Sequence, residues 1–146
     1  HQRLMRLGGI KRVAGLEELV QRCEILSFHV PSLTETRGLI DASLLARMAP
    51  GTIIVNTSRG DIIDEPALIA AMDEKGIRAG LDVFNSEPAM GKCAFASALA
   101  RHPNVYGTHH IGASTEQAQA AVAEGVIEIV DAFELGEVRH CVNMPV

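Results

Sequence analysis

The sequence predicts an α/β protein built on a doubly wound parallel sheet. Short apolar runs rich in β-branched residues alternate with segments whose apolar residues recur at helical spacing, a pattern typical of βαβ units. The runs over residues 25–30 and 52–56 have the apolar character of buried parallel strands. About four strands can be identified, which is roughly half of a complete sheet of this kind.

Local signals define the first elements. A helix is predicted over residues 15–23, followed by a strand over 25–30 that ends at Pro31. Asp41 is expected to cap a short helix. The next strand, over residues 52–56, is expected to be covered on both faces because it has no polar alternation.

The middle of the chain repeats this order. Asp64 is expected to cap a helix that ends at Gly76, since a carboxylate suits the start of a helix and glycine its end. A strand is predicted over residues 77–84, in which Gly80 would allow a close backbone approach. Residues 94–101 are predicted to be helical.

The last elements are a short strand over residues 104–108 and the longest helix of the chain. Ser114 and Gln117 fit a capping box, so this helix is predicted to begin at Ser114 and to run to about Leu135. Its apolar residues recur at helical spacing: Ala121, Val122, Val126, Ile129, Val130 and Phe133.

Composition excludes several classes of protein. The 146 residues are the size of one domain, 47% are hydrophobic, 21% are charged, and the net charge is −5. Nucleic-acid binding needs clustered positive charge, and a membrane span needs about 20 apolar residues, so neither is expected. The three cysteines are odd in number and widely spaced, which favours the reducing cytoplasm over a disulfide framework. No metal site is expected.

Three polar side chains follow strand-like runs and suggest a catalytic set. Arg59, Glu87 and His110 lie just beyond such runs, and these positions converge at the carboxyl edge of an open α/β sheet. A guanidinium binds a carboxylate, an imidazole moves a proton, and a carboxylate orients the imidazole. With a hydride carrier, this set can interconvert a 2-hydroxy acid and a 2-keto acid.

The glycine-rich turn that usually opens a dinucleotide-binding fold is missing from the sequence. No G-x-G-x-x-G motif occurs, and Gly8-Gly9 has the wrong spacing and follows no strand. The acidic residue expected to bind the ribose is also missing. The chain is therefore expected to be the C-terminal part of a longer protein.

Four motifs in order resemble the D-isomer-specific 2-hydroxyacid dehydrogenase family, and the resemblance extends from about residue 13 to residue 143. They are His29-Val30-Pro31 with Glu35 to Ile40 after it, Val55 to Asp61, Leu81 to Pro88, and His110 to Thr115. Residues 112–119 look most like the D-3-phosphoglycerate dehydrogenases of that family, which would place the protein in serine biosynthesis. One departure is His109, where the family usually has proline.

The resemblance implies a Rossmann-like fold and a division of the chain. Residues 1–113 would be the C-terminal part of an NAD-binding domain. Residues 114–146 would be a connecting helix and a return segment toward a substrate domain. The cofactor would be NAD, and the isolated chain is expected to be inactive.

The resemblance also implies the site residues. Arg59 would bind the substrate carboxylate, His110 would exchange the proton at the C2 oxygen, and Glu87 would hydrogen-bond the far nitrogen of His110. Asp82 would accept a hydrogen bond from the nicotinamide carboxamide. The cofactor-binding residues would be Val30, Pro31, Thr57, Ser58, Arg59, Asp82, His110, Gly112 and Ala113.

The expected reaction is hydride transfer between NAD(H) and C2 of a D-2-hydroxy acid or 2-keto acid, with 3-phosphoglycerate and 3-phosphohydroxypyruvate as the first candidates. A glyoxylate or hydroxypyruvate reductase of the same family is one alternative. A non-enzymatic NAD(H)-sensing scaffold related to corepressors is another. A homodimer is expected, with contacts from residues 89–100.

Overall fold

A four-stranded sheet, parallel throughout, forms the centre of the N-terminal part of the chain. Its strands follow one another in the order β1-β2-β3-β4. They are β1 (Ile25–Phe28), β2 (Ile53–Asn56), β3 (Arg78–Leu81) and β4 (Val105–Gly107). The register pairs Ser27 with Val55, Val55 with Gly80, and Gly80 with Tyr106. The predicted α/β class with a parallel sheet is confirmed.

This computed structural model describes residues 11–85, 87, 95 and 97–141. The chain divides into two compact units, His1–His109 and His110–Val146. The segment expected to form subunit contacts lies partly outside the described residues, at residues 89–94 and 96. Residues 142–146 of the expected return segment also lie outside them.

The helices of the first unit include the three ends that were predicted, at Asp41, Asp64 and Gly76. They are α1 (Leu16–Arg22), α2 (Ala42–Arg47), a 3₁₀ turn (Gly60–Ile62) and α3 (Glu65–Lys75). Asp41 Oδ1 accepts from the Leu44 amide at 2.8 Å, and Asp64 Oδ1 accepts from the Ala67 amide at 3.1 Å. Gly76 ends α3 in the left-handed region, with φ of 67°.

The helices cover one face of the sheet and leave the other face open. Leu26, Ile54 and Ala79 point to the helix side and are buried. On the other face Ile25 is 62% exposed and Tyr106 is 81% exposed. The strands are added in one direction, and right-handed crossovers then place successive helices on the same side. The prediction that β2 is covered on both faces is therefore wrong for the described residues.

The core between the sheet and the helices is apolar and continuous. Side chains from every element of the first unit contribute to it. The largest fully buried side chains in this core are those of Ile40, Leu45, Ile54, Ile62, Leu68, Met72, Ile77 and Leu99.

Two other predictions for the first unit need correction. A Cβ added at Gly80 would meet nothing within 4 Å, so no close backbone approach requires a glycine there. The predicted helix over residues 94–101 is in part outside the described residues, and residues 98–101 form a turn. Ser97 Oγ accepts from the Ala100 amide at 3.2 Å, and the His102 amide donates to Leu99 at 3.0 Å, which closes that turn.

The second unit contains the longest described helix, α4 (Glu116–Glu134). Its N-cap is Thr115, whose hydroxyl accepts from the Ala118 amide at 3.1 Å, and not Ser114 as predicted. The Ser114 amide donates to Ile111 O at 2.9 Å, so this residue belongs to the preceding turn. Among the described residues, no helix is long and apolar enough to cross a membrane.

Candidate functional site

The carboxyl ends of β1, β2 and β3 lie at one edge of the sheet because the strands are parallel. The loops that follow these strands contain most of the predicted site residues. Loop residues 29–39 follow β1, residues 57–60 follow β2, and residues 82–87 follow β3. The first unit therefore collects three loops at the edge where open α/β sheets bind their ligands.

Asn56 shapes the turn that presents Arg59. Its side chain is fully buried, and Nδ2 donates to Arg59 O at 2.8 Å. Its Oδ1 accepts from the Ser58 amide at 3.0 Å and from Ser58 Oγ at 2.8 Å. The exposed guanidinium of Arg59 donates to Ser58 O at 2.6 Å and forms no salt bridge with the described residues. The backbone of this turn is thus fixed, while its guanidinium faces solvent.

Asp82 lies directly after β3 and is 7% exposed. Its amide donates to Asn56 O at 3.0 Å, and its Oδ1 accepts from Thr108 Oγ1 at 2.5 Å. The Thr108 hydroxyl thus orients this carboxylate.

Glu87 folds back on the start of its own loop, where Oε1 accepts from the Phe84 amide at 2.5 Å. The next amide, that of Asn85, donates to Glu65 Oε1 at 2.8 Å, and Glu65 is the first residue of α3. Two carboxylates therefore accept from consecutive amides and restrain the backbone at Phe84 and Asn85.

Gly60 brings the Arg59 turn against the Glu87 loop. A Cβ at Gly60 would overlap the carbonyl group of Phe84 and come within 2.6 Å of the Asn85 nitrogen. Only a glycine permits this approach. The structure thus brings together the segments that contain Arg59, Asp82 and Glu87.

The loop after β1 contains the predicted cofactor-binding residues Val30 and Pro31. Thr36 Oγ1 donates to Pro31 O at 2.5 Å and accepts from the Leu33 amide at 2.8 Å. One hydroxyl therefore closes the loop on itself. Val30 is half-buried and Pro31 is exposed.

The remaining predicted residues, His110, Gly112 and Ala113, belong to the second unit. His110 has a left-handed backbone, with φ of 58°, which is uncommon for a residue with a Cβ. Ala113 O accepts from Gln119 Nε2 at 2.7 Å, so the turn before α4 is held by the first turns of that helix. This turn gives His110 a defined place within its own unit.

Three residues with structural roles at the site received no role from the sequence: Asn56, Glu65 and Thr108. Each had a signal that could have drawn attention to it. Asn56 is a polar residue that ends a β-branched run, Glu65 is acidic at the start of a helix, and Thr108 lies two residues before His110. The partners of Glu65 and Thr108 lie on the loop after β3. Those of Asn56 lie in its own turn.

Metal ligands and thiols can be located only in the described part of the chain. No group of three or more His, Cys, Asp or Glu side chains there could bind a metal ion. Cys23 is a free thiol. Cys93 lies outside the described residues.

Known proteins share both this sequence and this fold. Residues 5–112 match the sequence model of the D-isomer specific 2-hydroxyacid dehydrogenase NAD-binding domain. A D-3-phosphoglycerate dehydrogenase from Haemophilus influenzae is 37% identical over 141 residues, which are 95% of this chain and 34% of that protein.

Two solved structures resemble the chain closely. The apo form of Rhodotorula graminis D-mandelate dehydrogenase has a TM-score of 0.79 and 34% identity, over 91% of this chain and 37% of that one. The D-lactate dehydrogenase from Lactobacillus jensenii, solved with NAD⁺, has a TM-score of 0.76 and 28% identity, over 90% of this chain and 43% of that one.

The chain spans about a third of the length of curated relatives such as the Haemophilus enzyme. The match nevertheless covers the sheet, its helices and all three loops of the candidate site. NAD is the cofactor of the matched domain. The chain belongs to the D-isomer specific 2-hydroxyacid dehydrogenase family, within its NAD-binding domain.

Proposed function

We propose that residues 1–113 form the C-terminal part of an NAD-binding domain, and that residues 114–146 are a connecting helix and return segment. The complete protein would be a D-2-hydroxyacid dehydrogenase. The observation that carries this proposal is the contact between the Arg59 turn and the Glu87 loop at the carboxyl edge of the sheet. Asp82 at the same edge is hydrogen-bonded to Asn56, the last residue of β2, and to Thr108, which follows β4.

The residues at this edge fit the nicotinamide end of NAD. A carboxamide presents two N–H donors, and Asp82 presents a carboxylate whose Oδ1 is already oriented by Thr108. Backbone groups near Val30, Pro31, Thr57 and Ser58 would bind the rest of this end of the cofactor. Gly112 and Ala113 complete the proposed set from the second unit. NAD, when bound, would supply or accept the hydride.

Arg59 is the proposed substrate-binding cation. Its guanidinium is exposed and forms no ion pair with a described residue, so a substrate carboxylate would not displace a protein partner. A planar guanidinium binds a carboxylate through two parallel hydrogen bonds. The same group would stabilise negative charge as it develops on the C2 oxygen.

His110 is the proposed general acid and base, assigned from its place in the His110 to Thr115 motif. In the oxidation it would take the hydroxyl proton as the C2–H bond breaks, and in the reduction it would return a proton to the oxygen. Glu87 would accept from the other ring nitrogen and thereby fix the tautomer. One oxygen of Glu87 already binds the Phe84 amide, which restrains that carboxylate.

The proposed substrate pair is 3-phosphoglycerate and 3-phosphohydroxypyruvate. Its support is the similarity to D-3-phosphoglycerate dehydrogenases such as that of Haemophilus influenzae. A glyoxylate or hydroxypyruvate reductase, and a scaffold that binds NAD(H) without turnover, are the other outcomes that the experiment must separate. We also propose a cytoplasmic homodimer.

The test uses the full-length protein with NADH and three keto acids: 3-phosphohydroxypyruvate, hydroxypyruvate and glyoxylate. His110→Asn should lower kcat by about 100-fold or more, because it removes the proton donor. His109→Asn is the matched control and should change kcat by less than about threefold.

Each outcome has a distinct meaning. Highest kcat/KM with 3-phosphohydroxypyruvate supports the substrate assignment, and preference for glyoxylate or hydroxypyruvate contradicts it. NADH binding without turnover of any keto acid favours the scaffold. A His110→Asn enzyme as active as the wild type would refute the assigned proton donor.

A further inference from the structure

Asp61 joins two of the three loops at the sheet edge, yet it has no part in the proposed chemistry. It lies two residues after Arg59, in the 3₁₀ turn Gly60–Ile62. Its Oδ2 accepts from Ser32 Oγ at 2.5 Å and lies 3.2 Å from Arg37 Nε. Its carbonyl oxygen accepts from the Gly38 amide at 2.9 Å. One residue therefore contacts both the middle and the end of the loop after β1.

Hydrogen bonds within that loop hold its residues together. Thr36 Oγ1 already joins Pro31 O to the Leu33 amide, and the Arg37 amide donates to Leu33 O at 3.0 Å. These bonds stabilise the internal shape of residues 31–37. The backbone bond from the Gly38 amide to Asp61 O holds the end of this loop, and the Asp61 carboxylate adds the contact at Ser32 that ties its earlier part to the turn of Arg59.

Stability alone does not explain a carboxylate at this position. Asp61 Oδ1 is buried and accepts no hydrogen bond from the described residues. Removing a carboxylate oxygen from water without a donor costs free energy. The ion pair with Arg37 returns little, because the Arg37 side chain is 69% exposed. The presence of Asp61 despite this cost in stability is better explained by its contact with Ser32, which positions the loop after β1.

We infer that Asp61 is a positioning residue for NAD: through Ser32 it holds the loop of Val30 and Pro31 at a fixed distance from the turn of Arg59. This inference rests on the proposed function, which assigns cofactor contacts to that loop. A loop that is already ordered costs less entropy when the cofactor binds. Asp61 would thus affect NAD affinity and leave the proton transfer largely intact.

The experiment measures NAD binding by calorimetry, together with kcat, in the full-length protein. Asp61→Ala should weaken NAD binding about tenfold, which is about 1.4 kcal/mol, with kcat within about threefold of wild type. Ser32→Ala is the milder variant and should weaken binding in the same direction. The double variant should bind no more weakly than Asp61→Ala, because both changes break one contact.

Two control variants separate positioning from charge and from general destabilisation. Arg37→Met removes only the exposed partner, so NAD binding should change by less than about threefold. Arg22→Met removes an exposed ion pair with Glu18 on α1, and should leave NAD binding unchanged. Unaltered NAD affinity in both Asp61→Ala and Ser32→Ala would overturn the inference, as would additive effects in the double variant.

Failure of the proposed function would be visible before any variant is made. Wild-type protein that neither binds NAD nor reduces a keto acid refutes the dehydrogenase proposal, and with it the role of Asp61. An active wild type whose Asp61→Ala variant loses only thermal stability refutes the positioning role alone.

Discussion

Asn56 shows how one buried side chain can define the backbone around a functional residue. Its amide makes three hydrogen bonds, one to Arg59 O and two to Ser58, so the turn after β2 needs no other support. In Asn56→Ala, the Ser58 amide, the Ser58 hydroxyl and the Arg59 carbonyl would each lose this partner.

We expect Asn56→Ala to reduce the free energy of unfolding by about 2–3 kcal/mol, measured by urea denaturation of the full-length protein. Asn104→Ala is the matched control. Its Nδ2 makes one hydrogen bond, to Ile77 O at 3.2 Å, so the loss should be about 1 kcal/mol. Equal losses in the two variants would contradict the special role of Asn56.

The second prediction at the residue scale concerns Gly60 and the space available for a side chain there. A Cβ at this position would overlap the Phe84 carbonyl, and both sides of the contact are backbone, which has little freedom to move. Gly60→Ala should therefore lower the free energy of unfolding by about 3 kcal/mol and reduce turnover, because it separates Arg59 from the Glu87 loop.

Gly80→Ala is the matched control for Gly60→Ala. Its Cβ would meet nothing within 4 Å, and alanine restricts the unfolded chain, so stability should rise by about 0.5 kcal/mol. Denaturant unfolding of both variants decides the matter. A Gly60→Ala protein as stable as wild type would show that the loops are not in contact.

At the scale of elements, one ammonium group connects the C-terminal ends of α2 and α3. Lys75 Nζ, in the last turn of α3, donates to the carbonyl oxygens of Leu45 at 3.1 Å, Ala46 at 2.6 Å and Met48 at 3.0 Å. The last carbonyls of a helix have no partner within it, and they attract a cation. Lys75 therefore caps α2 from another helix.

Lys75→Met retains the aliphatic stem and removes these bonds. We expect a loss of about 1–2 kcal/mol in the free energy of unfolding, measured by thermal and urea denaturation. Arg47→Met is the control, because Arg47 is also basic and in the last turn of α2 but makes no hydrogen bond to the described residues. A similar loss in both variants would indicate a general charge effect.

Elements were predictable where the signal was local. Asp41, Asp64 and Gly76 act within one turn of their own helices, and all three ends were predicted correctly. The start of α4 was wrong by one residue, because Ser114 and Thr115 are adjacent hydroxyls that both suit a cap. The Ser114 amide donates to Ile111 O, which places Ser114 in the preceding turn and leaves Thr115 as the N-cap. The capping pattern does not include this hydrogen bond.

The candidate site was predictable to a smaller extent. Motifs identified Arg59, Asp82 and Glu87, because each follows a strand in an order that the family shares. The roles of Glu65 and Asp61 depend on contacts with other loops, and single-sequence patterns carry no information about such pairs. Asn56 instead acts within its own turn, on Ser58 and Arg59. A motif residue can thus be identified from the sequence, but the contacts that surround it can be identified only from the structure.

At the scale of the whole molecule, the open face of the sheet is the feature that most needs an explanation. Parallel sheets are normally covered on both faces, and here Ile25 and Tyr106 are 62% and 81% exposed on one of them. Four strands added in one direction account for one half of a doubly wound sheet. This supports our proposal that residues 1–113 form part of a larger NAD-binding domain.

The last prediction follows from that proposal and concerns NAD binding by the chain alone. The pyrophosphate of a dinucleotide normally binds at a glycine-rich turn before a helix, and the sequence contains no G-x-G-x-x-G motif. The contacts that we propose for the described loops are with the nicotinamide end. Much of the binding free energy would therefore be lost in the 146-residue chain.

Calorimetry should give a Kd for NAD of about 1 mM or weaker for this chain, against micromolar values for the full-length protein, a difference of about 4 kcal/mol. Circular dichroism on the same sample must show helix, so that weak binding is not attributed to unfolding. Asp82→Ala in the full-length protein provides a second comparison, because it removes one contact and leaves the pyrophosphate site intact. Micromolar binding by a folded 146-residue chain would mean that its own loops suffice for the dinucleotide, and the proposed division of the domain would then be wrong.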